Sequence, residues 1–101
     1  MILYNVTTIL DDSIHDQWLT WAENELIPAI MSTDCFVSYR VLRVLDSPNE
    51  GVTYCIQYVS DSLENYNEFK NLHPQDPIPI PLEFLNKIVS FPSLMEFIDS
   101  E

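Results

Sequence analysis

Two runs decide the fold: Phe36-Val-Ser-Tyr-Arg-Val-Leu-Arg-Val-Leu45 and Val52-Thr-Tyr-Cys-Ile-Gln-Tyr-Val59, joined across Ser47-Pro48-Asn49-Glu50-Gly51. Both are rich in β-branched and aromatic residues, which suit a pleated, half-buried surface. The link holds a Pro, an Asn and the only glycine of the chain, the residue that most freely takes φ > 0. The pattern predicts a β-hairpin over residues 36–60. With its turn near Pro48–Asn49, Cys55 falls opposite Leu42. One face then carries Tyr39, Val41, Arg43, Leu45, Val52, Tyr54, Ile56 and Tyr58, and the other Ser38, Arg40, Leu42, Val44, Thr53, Cys55, Gln57 and Val59. Both faces are more apolar than a solvated sheet needs. Helices of this chain can cover one, and a partner molecule is the economical cover for the other.

Upstream of the hairpin, residues 2–10 read as a strand with apolar side chains on both faces, which places it centrally in a sheet. Asp11-Asp12-Ser13 breaks it, and Ser13 with Asp16 three positions on reads as an acidic capping box. A helix follows over residues 14–31. At about 100° per residue, Ile14, Trp18, Leu19, Trp21, Ala22, Leu26, Ala29 and Ile30 fill half of its wheel. His15 and Glu25 interrupt that apolar half. Pro28 cannot donate to the Asn24 carbonyl, so a kink is expected beside Trp21 and Glu25. Two accounts of this patch stand side by side: tryptophans filling a core, or a pocket lined by the same groups.

Downstream, Ser60-Asp61-Ser62 with Glu64 starts a second helix, whose buried side is marked by Leu63, Tyr66, Phe69 and His73. Pro74, Pro77, Pro79 and Pro81 forbid regular structure over residues 74–81, and a short helical turn follows at residues 82–87. The last strand spans residues 88–98. Pro92 in its middle removes a ladder donor, so it belongs on an edge or at a bulge.

Composition limits the function. The chain is long enough for one domain, residues 1–101, with a real core. Its net charge of −12, with only Arg40, Arg43, Lys70 and Lys87 as cations, argues against nucleic acid and anionic membrane surfaces as partners. No apolar run approaches a membrane span, and the N-terminus has no leader pattern, so the expected setting is cytoplasmic. Cys35 and Cys55 are too few and too scattered for zinc, and are expected as free thiols; no metal and no cofactor is expected.

The element order β-α-β-β-α-β is that of the ferredoxin-like plait: an α+β fold, a four-stranded antiparallel sheet with both helices on one face. Four phrases extend the reading: Met1-Ile-Leu-Tyr-Asn-Val-Thr7, Trp18-Leu-Thr-Trp21 with Ile27-Pro28, Arg40-Val-Leu-Arg43-Val-Leu45, and Gly51-Val-Thr-Tyr54-Cys-Ile-Gln57-Tyr58. Together they resemble a family of small bacterial proteins described only as a domain of unknown function. The resemblance implies a fold of the dimeric α/β-barrel type, a group that includes small cofactor-free monooxygenases. Where relatives tend to carry a histidine before Ile-Pro this chain has Leu26, and where they carry an arginine in the last strand it has Pro92.

Two functional expectations emerge. The first is a homodimeric, non-enzymatic structural or interaction module. The alternative is binding, or cofactor-free oxidation, of a small apolar or aromatic molecule between helix and sheet. Its candidate ligand-binding residues are Trp18, Trp21, Glu25, Arg40, Tyr54 and Gln57, with His15 as the candidate acid/base.

Overall fold

The computed structural model describes residues 1–48, 50–74 and 77–101; Asn49 of the expected turn and Gln75 and Asp76 of the proline-rich loop lie outside the described residues. Strand β1, Ile2–Leu10, leads into a helix of three contiguous pieces: α1 His15–Trp21, a π turn Ala22–Leu26, and α2 Ile27–Met31. Strands β2, Ser38–Arg43, and β3, Val52–Ser60, form the hairpin. Helix α3, Leu63–Leu72, a 3₁₀ turn Leu82–Phe84, and β4, Ile88–Glu96, complete the chain. All pairings are antiparallel and the strand order is β2-β3-β1-β4, the topology of the ferredoxin-like plait.

The hairpin register matches the sequence reading, with Leu42 opposite Cys55 and Tyr39 opposite Tyr58. Gly51 sits at φ 88°, in the left-handed region that an L side chain rarely adopts. A Cβ there would lie 2.2 Å from the Leu10 carbonyl oxygen. The turn end therefore presses against the end of β1, and only glycine fits. Strand β4 occupies one edge, as Pro92 requires.

The helices cover one face of this sheet. Tyr4, Leu10, Val52, Tyr54, Ile56 and Tyr58 meet Trp18, Ala22, Ile27, Ile30, Phe36, Phe69 and Phe84 in one buried cluster. Rings of Tyr4, Phe36, Tyr58 and Phe69 pack at centroid separations between 5.0 and 6.1 Å, the range of favourable aromatic pairs. Cys35 is buried at its margin, and both cysteines are free thiols.

The opposite face carries no helix of the described residues above it. The pairing aligns four rows across it: Val44, Thr53, Ile9, Val89; Leu42, Cys55, Thr7, Phe91; Arg40, Gln57, Asn5, Ser93; and Ser38, Val59, Leu3, Met95. Val89, Phe91, Met95 and Leu42 are exposed there. Three rows are largely apolar and the third is a polar band, in which the Arg40 Nε donates to the Gln57 Oε1 at 2.9 Å.

Three local expectations change. Ser13 does not cap α1: its N–H and hydroxyl both donate to the Asp11 Oδ1, at 2.9 and 2.7 Å, closing a turn ahead of the helix. These two bonds, the backbone one first, hold the Asp11 carboxyl below its ordinary value. The cap position is Ile14, and no side chain bonds the first turn. Ahead of Pro28 the helix carries a π turn that an even wheel does not contain: the Ile27 N–H bonds the Ala22 carbonyl, five residues back, and the flanking residues keep right-handed helical dihedrals. Finally, Leu63 is exposed, while Phe69 and half-buried Tyr66 carry the inner side of α3. Ser62 caps α3 as expected, accepting from the Asn65 N–H at 3.1 Å.

Candidate functional site

A pocket of about 80 Å3 opens between the helices and the covered face of the sheet. Alternation along β1 brings Tyr4, Val6 and Thr8 to its floor, joined by Ile56 and Tyr58 of β3 and Ile88 and Ser90 of β4. Trp18, Trp21, Leu26 and Ile30 of the first helix form one wall, and Phe69, Lys70 and His73 of α3 the other. Pro77 and Ile80 of the proline-rich loop close over the side. Most of this surface is apolar. Its polar groups are few: the Thr8 and Ser90 hydroxyls, hydrogen-bonded to each other at 2.9 Å, the hydroxyl-bearing rings of Tyr4 and Tyr58, and Lys70 and His73.

Lys70 and His73 stand one helical turn apart at the C-terminal end of α3. The Lys70 ammonium lies over the Tyr4 ring, 5.8 Å from its centroid, and 6.0 Å from that of Phe69. The His73 ring packs on Phe69 at 5.7 Å. Burial raises the Tyr66 phenol above its ordinary value.

The residues singled out in the sequence separate into three places. Trp18 and Trp21 line the pocket, Trp18 fully buried and Trp21 half-buried with its ring edge against Phe84 at 6.3 Å. Tyr54 stacks on Trp18 at 6.0 Å and 12°, behind the pocket wall. His15 stands beyond it, its Nδ1 3.0 Å from the Tyr54 hydroxyl and 3.4 Å from the Asp16 carboxylate, and outside the pocket lining. Glu25 is exposed in a surface groove with Asn24, Trp21 and Glu83. The wheel expectation placed it between the tryptophans, but a π turn holds more residues than an α turn and changes the helical phase from Ala22 onward. Arg40 and Gln57 lie on the open face, because successive strand residues point to opposite sides and Tyr54 and Tyr58 face the helices. They cannot share a helix–sheet site with Trp18.

Missing from the sequence reading are Thr8, Lys70, Ser90, Pro77 and Ile80. The Phe69-Lys70-x-x-His73 spacing was the available signal for α3, and the plait order sets β1 beside β4, but the register that brings Thr8 to Ser90 was not readable in the sequence. Among the described residues no group of three or more His, Cys, Asp or Glu could hold a metal ion, and no helix is long and apolar enough to cross a membrane.

Solved structures share this architecture at low identity. A dimeric ferredoxin-like protein from an uncultured marine organism aligns with 100% of this chain and 98% of its own, at TM-score 0.70 and 11% identity. A second dimeric ferredoxin-like protein from an uncultured marine organism covers 99% and 96%, at 0.63 and 8%. An ethyl tert-butyl ether (EthD) family protein from Bacillus halodurans covers 97% and 100%, at 0.62 and 12%. Such identities speak for the fold alone. Among curated proteins no sequence matches the chain. The model of one sequence family, a domain of unknown function designated DUF4286, matches residues 1–98. The chain belongs to that family, DUF4286.

Proposed function

We propose that the chain is a non-catalytic interaction module that works as a homodimer, joined through the open face of its sheet. The observation that carries this reading is the charge of that face. The chain has 16 acidic residues and a net charge of −12, yet the four open rows contain no carboxylate, and Arg40 is their one charged group. A second copy at the same net charge can approach closely only where carboxylates are absent. Exposed apolar side chains over this area are what a self-association surface supplies and what a monomer tends to hide. Dimeric relatives of the same fold agree with it. Unbridged Cys35 and Cys55 suit a reducing, cytoplasmic setting. His15, engaged with Tyr54 outside the pocket, favours binding over catalysis.

Sedimentation of the wild type and of Phe91→Asp tests the dimer. Phe91 is exposed on the edge strand, so its loss leaves the chain folded. The wild type is expected at twice the chain mass at micromolar concentration and the variant at the chain mass. A monomeric wild type refutes the reading.

The pocket supports a second role, binding of a small apolar molecule against the indoles of Trp18 and Trp21. Its volume of about 80 Å3 is roughly half that of the ~150 Å3 cavity known to hold benzene, so the bound group is small.

A further inference from the structure

We infer that the helix–sheet pocket takes a short-chain monocarboxylate, its tail inside and its carboxylate at Lys70 and His73. This rests on the pocket-binding reading and adds the chemistry of the ligand. Scaled against the ~150 Å3 that accommodates a six-carbon ring, about 80 Å3 holds a tail of about three carbons. The floor and walls that such a tail would meet are mostly apolar, Val6, Trp18, Leu26, Ile30 and Ile56 among them, and the Thr8 and Ser90 hydroxyls on the floor bond each other.

The lip has a different character. The chain has only four Lys and Arg residues, and one of these, Lys70, lines the pocket together with one of the two histidines. Among the described residues no carboxylate lies within ion-pair distance of Lys70 or His73. Half-buried, and held over the Tyr4 ring, the Lys70 ammonium has fewer waters around it than at an open surface. A carboxylate there gains a charge-assisted hydrogen bond from Lys70 and a second from the His73 ring.

The ordinary explanation for a lysine and a histidine at this position is the negative end of the α3 dipole. It accounts for their place along the helix. It does not account for both lining an apolar pocket.

Binding of butyrate, and of its neutral isostere butyramide, to the full-length chain provides the test, read by tryptophan fluorescence and by NMR shifts of the Trp18 and Trp21 indole N–H groups. Butyrate is expected to bind at least about tenfold tighter than butyramide, the scale of one charge-assisted hydrogen bond. Lys70→Met should weaken butyrate by about tenfold and butyramide by much less, since a neutral amide carbonyl accepts a weaker bond from the ammonium than a carboxylate does. Since Lys70 is a half-buried surface residue, circular dichroism of the variant confirms its fold in the same experiment. Equal affinity for the two probes overturns the carboxylate proposal and leaves an apolar pocket. Butyrate binding that is indifferent to Lys70→Met and His73→Gln also overturns it. If neither probe binds, the pocket-binding reading falls with it.

Discussion

Gly51→Ala should be among the most destabilising small changes in the molecule. At φ 88° an alanine pays the left-handed penalty of about 1–2 kcal/mol. The added Cβ would also meet the Leu10 carbonyl oxygen at 2.2 Å and its carbon at 3.2 Å. Real Cβ atoms keep more than 3.0 Å from such neighbours, so backbone must move by nearly an ångström. That movement falls where Leu10 pairs with Val52 and Ile88, and beside the 3.0 Å bond from the Asp11 N–H to the Lys87 carbonyl. Weakening one or two of these bonds adds about 1–3 kcal/mol. The total expected loss is about 2–5 kcal/mol. Urea unfolding followed by circular dichroism reads it as a fall in midpoint at constant slope. A loss below about 1 kcal/mol would refute the reasoning, since the hairpin end would then not be packed against β1.

Ser62→Ala removes the side-chain acceptor of the Asn65 N–H and should cost about 0.5–2 kcal/mol in the same assay, whereas Ser13→Ala, which removes no helix cap, should cost less. Ser13→Ala should instead raise the Asp11 pKa partway toward its ordinary 3.8, because the stronger backbone bond from residue 13 remains; carboxyl NMR titration measures it. The sign comes from linkage. A carboxyl whose folded pKa is lowered contributes stability above the ordinary value, and that contribution is lost as pH falls through the folded one. The acid limb of the wild-type stability curve should therefore flatten slightly in Ser13→Ala.

Much of the architecture was legible because the signals were local. The Pro- and Gly-bearing link gave a turn centre that set the hairpin register, so Leu42 and Cys55 face each other as read, and Pro92 marked an edge strand. Ser62 was readable as a cap for the same reason. Where a wheel at fixed angle was extended through Pro28, it failed: the π turn moved Glu25 away from the pocket and into solvent. Ser13 followed a capping pattern, but Asp11, two residues earlier, took both of its donors. The site was less legible than the fold. Alternation alone separates Tyr54 from Gln57, so those two could never line one cavity. The lip of Lys70 and His73 depends on how α3 crosses the sheet, and the Thr8–Ser90 hydroxyl pair on residues 82 positions apart. The Lys70–His73 spacing is local, but where it meets the sheet, like the Thr8–Ser90 pairing, is not encoded in a short window.

The central claim is that the carboxylate-free face is covered by a second copy, and Cys55 reports on it directly. Its side chain lies in the second open row, 3.6 Å from the Thr7 hydroxyl and opposite Leu42, while Cys35 is buried on the other side of the sheet. Under native conditions, a thiol reagent should modify wild-type Cys55 slowly at micromolar concentration and faster on dilution, approaching the rate of Phe91→Asp. A wild-type rate equal to that of Phe91→Asp at every concentration would contradict the claim.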